Sequence, residues 1–552
     1  MLKPLTKQQT KRIDDLMRRM SIEQMVGQTL SPLAWSFNQN PKGQELTECI
    51  DRVKRWVDDY HVGCLFFPYG TRTNLSRMER EVQAHSGIPV IVNGDMETGA
   101  GYKIKGNAMF PNKMLAAAAN SVALVRTMAE ATSAESRPYG AHWAFSPMVD
   151  LCYSPRNSMV FSRTFSSSPV QTARLARAFI QAMQKDGRCA ATAKHFPGDG
   201  FDERDPHMST AVLALSRNEW METYGFVWKA CIDAGVMAIM TGHIALPFVD
   251  PPDTWMGPRP ASLSRKIQLD FLRGELGFDG TLVSDATTMI GFSGHLPPDE
   301  RAWQCIENGS DVFLFSEPDR DFPQMMKALK ARKLSEARVA FAARKVLELK
   351  TRVGLMDGKQ FKLPTAEVRA GYRKAAVAIA ERGLKVVRDE YNVLPLKLKK
   401  GSRVLTITCT FVEGVRHGTA MELPVVDKEL RKRGIKVDHL FNPWAPDFIP
   451  DLHKYDAVFY NLNIPPRYGA NRLQPPISNP LWEGSWWHHP RPVFTSFGNP
   501  YMIAEIPCAP NMVLTFCNSE LAQAAAVRLW LGEIKPRGKN PVALDGFFEC
   551  EI

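Results

Sequence analysis

The sequence predicts a (β/α)8-type TIM barrel followed by a smaller α/β sandwich domain, and three observations point there. From about residue 60 to 330, short and nearly continuous apolar runs alternate with amphipathic helical stretches, the pattern of a parallel sheet covered on both faces. Seven such runs are present and an eighth lies near Val26–Leu30, the number a closed barrel requires. Polar residues collect where the runs end, at Asp95, Asp150, Lys194, His195, His243 and Asp285, which is the face where barrel active sites are built. An open doubly wound sheet also gathers ligands at its strand ends, so periodicity alone leaves both topologies open.

The predicted barrel strands are 62–67, 89–95, 141–150, 189–196, 236–244, 280–285 and 311–315. Each is short, rich in apolar residues and followed by polar or glycine residues. Helices are expected between them at 119–137, 170–186, 217–233 and 299–308. The rhythm breaks at Gly354-Leu-Met-Asp-Gly-Lys-Gln-Phe-Lys-Leu-Pro-Thr365, whose Gly, Pro and Lys content marks a connector. We therefore expect a barrel domain over 1–355, a linker over 356–369 and the sandwich over 370–552. In the second domain, strands are expected at 403–409, 436–441, 456–462, 492–497 and 512–517, with helices at 368–385, 418–433 and 519–532.

The chain's 552 residues exceed one ordinary domain of about 100–200 residues, or a barrel of ~250. Hydrophobic residues at 44% and charged residues at 23% exclude a disordered or collagen-like chain. Lys and Arg outnumber Asp and Glu by 69 to 58, a net charge of +11. Spread over this length, that charge tolerates anionic substrates but predicts no nucleic-acid partner. The ten cysteines are scattered with no CxxC pair, which argues against a zinc knuckle or a dithiol redox motif. Lys11, Arg12, Asp14 and Asp15 interrupt the start before any apolar signal core, and no run of about 18 apolar residues is present. A cytoplasmic protein with reduced thiols and no membrane span is expected.

The most informative stretch is Lys194-His195-Phe196-Pro197-Gly198-Asp199-Gly200-Phe201-Asp202-Glu203-Arg204-Asp205-Pro206-His207. It leaves a strand and turns into a charged loop, which is costly to bury unless its charges meet a ligand or each other. In an extended loop Asp205 and His207 face one side. The carboxylate then holds one imidazole nitrogen, fixes the tautomer and raises the basicity of the other. The alternative is a solvated loop with a chance Asp-Pro-His. Gly280-Thr-Leu-Val-Ser-Asp285 sets a carboxylate rigidly at the end of a strand, as a nucleophile requires. An Asp there is also a common helix N-cap. Asn93-Gly-Asp95-Met-Glu97-Thr98-Gly99 ends a strand with two carboxylates, in a site reading or as a turn with Asx hydrogen bonds.

Taken in order, Asp95, Arg163, Lys194-His195, Asp205-Pro206-His207 and Ser284-Asp285 make the chain resemble glycoside hydrolase family 3, and within it the β-N-acetylglucosaminidase branch. That branch carries Lys-His-Phe-Pro-Gly-His-Gly, four residues, then Asp-Ser-His, and the spacing here is the same through His207. The resemblance includes Ser21–Leu30, Ser146–Asp150, Met240–Ile244 and Asn308–Asp311, spanning 20–350. It continues more weakly through Asn392–Leu396 and Trp530–Lys539, which look like the sandwich domain often attached in the family. It implies that Asp285 is the nucleophile, that His207 is acid and then base with Asp205 tuning it, and that Asp95, Arg163, Lys194 and His195 hold the sugar hydroxyls. The implied reaction is an exo-acting retaining double displacement on a β-linked sugar, N-acetylglucosamine first, from peptidoglycan or chitin fragments. It needs no metal ion or organic cofactor. A neutral imidazole repels an anion less than a carboxylate would, so phosphate is an alternative acceptor to water.

The family pattern is altered at Thr98, where a Cβ replaces the first glycine, and at Asp199, which replaces the first loop histidine. It is altered again at Arg163-Thr-Phe-Ser-Ser-Ser-Pro169, which loses a Gly and an Asp. These changes point to altered substrate choice. The rivals are a β-glucosidase of the same fold and a carbohydrate-binding pseudoenzyme. The aromatic stretch Trp482–His489 reads as interface packing, with sugar stacking as the alternative.

Overall fold

The computed structural model describes residues 1–37, 39–252, 257–410, 422–443, 451–465 and 489–552. The chain divides into two compact units. One comprises Met1–Met109, Arg126–Asp150 and Thr172–Tyr372, and the other Phe110–Val125, Leu151–Gln171 and Arg373–Ile552.

The first unit is a closed barrel of eight parallel strands: β1 Leu30–Ser31, β2 Cys64–Phe66, β3 Ile91–Gly94, β4 Trp143–Ala144, β5 Ala190–Phe196, β6 Ala238–Thr241, β7 Thr281–Ser284 and β8 Phe313–Leu314. Neighbours from β2 to β7 pair in parallel, as at Cys64↔Ile91, Asn93↔Trp143, Trp143↔Ala190, Thr192↔Ala238 and Thr281↔Ala238. The ring closes through Leu30↔Phe313 and two single parallel bridges, Leu33↔Phe66 and Val283↔Val312. Closure decides between the two topologies left open above.

The eighth strand falls later than the predicted Val26–Leu30. A helix, Ile22–Gln28, capped by Ser21 and Gln24, occupies most of that segment. A Cβ on Gly27 would sit 2.2 Å from the Tyr60 carbonyl oxygen, so only glycine lets this helix approach the following turn. The interior is filled by one buried cluster including Cys64, Phe66, Ile91, Trp143, Ala190, Met240, Val283 and Leu314, the packed core a barrel needs in place of a pore. Trp143 satisfies its indole N–H on Thr192 Oγ1 at 2.6 Å. Among the described residues no helix is long and apolar enough to cross a membrane.

The second unit carries a six-stranded sheet of β9 Lys385–Asp389, β10 Arg403–Thr410, β11 Lys436–Phe441, β12 Ala457–Asn463, β13 Pro492–Phe497 and β14 Asn511–Leu514. Its order is β9-β14-β13-β12-β10-β11, parallel except for the antiparallel β9–β14 edge. The strand β9 was not predicted. Its residues are half-buried and charged, and the sequence reads as a continuation of the helix Ala366–Gly383. Helices Pro424–Lys432 and Glu520–Trp530 belong to this unit, and the Trp530 ring stacks on Phe459 at 4.4 Å. Residues 482–488 of the aromatic stretch lie outside the described residues. His489 is buried, with Nε2 2.9 Å from the Tyr455 carbonyl and Nδ1 accepting the Arg491 N–H at 3.0 Å.

Candidate active site

Four barrel strands deliver charged side chains at their C-terminal ends. Asp95 follows β3, Asp150 closes the loop after β4, Lys194 and His195 end β5, and Asp285 follows β7. Lys194 is 3% exposed, and its Nζ lies 3.0 Å from Asp95 Oδ1 and 2.8 Å from Glu97 Oε1. A buried ammonium held between two carboxylates is a fixed hydrogen-bonding group, as recognition of sugar hydroxyls requires.

Lys103 extends this cluster. Its Nζ is 4.0 Å from Asp95 Oδ2 and lies over the rings of Phe37, Phe66 and Tyr102 at 5.6, 5.5 and 5.1 Å. Burial pushes its pKa below the usual lysine value, Asp95 opposes that, and Lys194 adds to it. Thr98 needs no glycine conformation, since its φ is not positive. The left-handed freedom is used one residue later, at Gly99, with φ 103°. Thr98 therefore sits in a backbone conformation open to any L-residue.

His195 is held by Asp150. Oδ2 of the fully buried Asp150 is 2.8 Å from His195 Nδ1. The same carboxylate accepts the His195 backbone N–H at 3.1 and 3.2 Å and the Asp199 N–H at 2.8 Å. The other ring nitrogen, Nε2, lies 3.8 Å from Asp285 Oδ2. The Asp285 side chain is 17% exposed. Burial would raise its pKa, but His195, His243, Lys194 and the Ala286 N–H outweigh that and hold it at about 2. Asp285 is not a helix N-cap. Its Oδ1 accepts only the adjacent Ala286 N–H, at 2.7 Å, and the next helix starts at Ile290.

The Asp205–His207 pair forms through a turn, not the extended loop expected from sequence. Asp205 Oδ1 accepts both the His207 backbone N–H and its Nδ1–H, each at 2.8 Å, in an Asx-type arrangement. Pro206 suits the turn because its fixed φ is that of a central turn residue, and its carbonyl accepts the Gly291 N–H at 3.0 Å. Asp205 is buried while the His207 side chain is 29% exposed. The segment that leaves Asp285 runs beneath this turn, where the Ile290 N–H meets the His207 carbonyl at 3.2 Å. A Cβ on Gly291 would lie 2.7 Å from the Pro206 oxygen and 2.8 Å from the Ser209 oxygen.

His243 at the end of β6 sits between the two centres. Its Nε2–H donates to the Ala286 carbonyl at 3.0 Å and its Nδ1 faces Ser262 Oγ at 2.8 Å. Burial lowers its pKa and Asp285 opposes that, while His207 and His195 lower it further.

The start of the loop is clamped from below. Trp220 and Trp228, on the helical run Arg217–Asp233, donate their indole N–H groups to the Pro197 carbonyl at 3.1 and 2.9 Å, and Tyr224 donates to the Asp199 carbonyl at 2.8 Å. Gly198, with φ 136°, leaves no room for a Cβ, which would fall 2.1 Å from the Tyr224 ring.

Asp95, Lys194, His195 and Asp285 are thus linked at one face of the barrel, and the Asp205–His207 turn packs on the segment that follows Asp285. Arg163 lies in the second unit, in the turn Phe161–Arg163, where its guanidinium donates to the Met159 carbonyl at 3.2 Å. Glu97, Lys103, Asp150 and His243 join the site beyond the predicted set. Three of them carry a sequence signal, since Glu97, Asp150 and His243 end strands or begin the loops after them, whereas Lys103 enters only through the path of its loop.

The model for the glycosyl hydrolase family 3 N terminal domain matches residues 22–349. A protein of Cellulomonas fimi named beta-N-acetylglucosaminidase/beta-glucosidase is 30% identical over 505 residues, covering 87% of this chain and 88% of the relative. A beta-hexosaminidase of Thiobacillus denitrificans is 29% identical over 297 residues, covering 52% of this chain and 78% of the relative. Among solved structures, the beta-glucoside phosphorylase BglX superposes with a TM-score of 0.85 at 24% identity, over 98% of this chain and 97% of that one. A family 3 beta-N-acetylglucosaminidase from Paenibacillus sp. str. FPU-7 superposes with a TM-score of 0.81 at 22% identity, over 95% of this chain and 99% of that one. At such identities the structural matches speak to the barrel-plus-sandwich fold. By the breadth of the sequence matches, the chain belongs to glycosyl hydrolase family 3.

Proposed function

We propose that this chain is an exo-acting retaining glycosidase that releases β-linked N-acetylglucosamine, or a related hexosyl unit, through a covalent ester on Asp285. The observation that carries the reading is the buried Asp205 on Nδ1 of the partly exposed His207. A carboxylate can only accept there, so Nδ1 keeps its proton and Nε2 is the atom offered for transfer. In the first step an ionised Asp285 oxygen forms a bond to the anomeric carbon as the bond to the leaving oxygen breaks. His207 Nε2–H supplies that oxygen's proton. In the second step neutral His207 takes a proton from the acceptor, whose oxygen displaces Asp285. Asp95 and Lys194, locked together, hold hydroxyls of the sugar ring, with His195 in the same role. The names borne by the Cellulomonas fimi and Thiobacillus denitrificans relatives support N-acetylglucosaminides as first substrates, with glucosides second.

Phosphate is the second acceptor reading. The acid/base is an imidazole, neutral when the acceptor enters, and it does not repel an anion. The phosphorylase name of a structural neighbour supports it. Paired assays on nitrophenyl N-acetylglucosaminide and nitrophenyl glucoside, with NMR of the first-formed sugar, test the proposal. The β anomer is expected, as free sugar in water or as the 1-phosphate when phosphate is added. An α product contradicts the retaining mechanism. Saturable sugar binding without turnover on either substrate favours the pseudoenzyme.

A further inference from the structure

We propose that Asp150 is a positioning residue for the nucleophile: by gripping His195 it fixes the ring with Nε2 facing the Asp285 carboxylate, so that the site contains two His–Asp pairs, one serving the leaving group and one serving the nucleophile. The inference rests on Asp285 acting as the nucleophile. Asp150 lies at the end of the segment after β4, with no exposed side-chain surface. Its two oxygens hold the His195 ring at Nδ1, the His195 backbone N–H and the Asp199 N–H. The ring therefore cannot rotate without breaking a network that also fixes the start of the catalytic loop. The 3.8 Å between Nε2 and Asp285 Oδ2 exceeds a hydrogen bond but lies within ion-pair range, so the coupling is electrostatic.

The charged and titratable groups around His195 come from several strands. Asp150 follows β4, Lys194 precedes it on β5, His243 follows β6 and Asp285 follows β7. Burial lowers the His195 pKa, but Asp150 and then Asp285 outweigh it, and Lys194 opposes them, for a net rise. The pair of carboxylates thus shifts the ring toward the protonated form against the effect of burial. Its consequence differs between the two chemical steps. The first step consumes the Asp285 charge as the C1–oxygen ester bond forms. The second regenerates it as that bond breaks and the acceptor's oxygen bonds to C1, the acceptor's proton passing to His207. A cation beside Asp285 stabilises the departing carboxylate, so Asp150 aids release of the sugar more than its capture.

Asp150→Asn keeps the shape and removes the charge. On a nitrophenyl glycoside, whose good leaving group makes release rate-limiting, kcat is expected to fall about 10-fold and KM to fall with it, while kcat/KM changes less than ~3-fold. A pre-steady-state burst of nitrophenol should appear. The acid limb of kcat/KM should rise by about one pH unit, because Asp285 loses a neighbouring cation. The same pattern is expected of His195→Gln, which retains a neutral donor near the Nε2 position and serves if Asp150→Asn does not fold. A rise in KM at constant kcat overturns the proposal, since Asp150 then serves sugar binding through His195. Equal losses of kcat and kcat/KM with an unchanged pH profile also overturn it, as a merely structural role. Wild-type protein that turns over no nitrophenyl glycoside removes the glycosidase reading itself, a distinct failure that takes the proposal with it.

Discussion

At His207 the proposed chemistry depends on which ring nitrogen Asp205 holds. Asp205 occupies Nδ1, so in the proposed reaction removing the imidazole removes proton transfer while leaving Asp285 and the Asp95–Lys194 pair in place. His207→Ala is expected to lower kcat by ~10²–10⁴ on substrates with poor leaving groups. The loss should shrink on a dinitrophenyl glycoside, whose leaving oxygen needs no proton. A loss independent of the leaving group argues against the acid role. Asp205→Asn removes the carboxylate that fixes the Nδ1–H tautomer, and a loss of kcat smaller than that of His207→Ala is expected in steady-state assays. Asp285, held at about 2, stays ionised above that pH. The acid limb of the wild-type enzyme should therefore lie well below the ordinary carboxylate range.

At the scale of elements, two glycines and three aromatic residues aim the catalytic loop. Gly291→Ala would drive a methyl group against the Pro206 and Ser209 carbonyls. The displaced turn is expected to cost ~10–100-fold in kcat with little change in thermal midpoint, because misplacement by about 1 Å suffices for such a loss. A kcat within twofold of wild type contradicts that role. Trp228→Phe removes one indole donor from the Pro197 carbonyl, leaving the one from Trp220. About 1 kcal/mol of stability should be lost, measured as a lower midpoint in thermal unfolding.

The barrel strands were legible because a strand buried on both faces is written as an uninterrupted apolar run, and Asp285 and His195 stand where such runs stop. The edge strand Lys385–Asp389 was not, since its charged, half-buried residues carry no such run. The turn at Asp205 reads as a loop in sequence, because its geometry depends on the carboxylate meeting the His207 N–H. The grip of Asp150 on His195 joins residues 45 apart, and the parallel pairing of β4 with β5 brings them together. The Lys103 cluster is hidden for the same reason, as its three rings come from three separate loops and strands.

For the whole molecule, the net charge of +11 belongs to an enzyme with a concentrated charge network at one barrel face and a diffuse balance elsewhere. Turnover of a neutral nitrophenyl glycoside should therefore depend weakly on salt between low and moderate ionic strength. A rate that falls steeply with salt contradicts that expectation. The linked candidate catalytic residues Asp95, Lys194, His195 and Asp285 all lie in the barrel unit. The claim on which everything else depends is the covalent ester on Asp285. A slow 5-fluoro N-acetylglucosaminide should trap it, with the 2-fluoro glucoside as the glucosidase counterpart, and proteolysis with mass spectrometry locates the adduct. One sugar on the peptide that contains Asp285, absent in Asp285→Ala, is the expected result. An adduct on another residue, or turnover of the slow substrate without any adduct, contradicts the account.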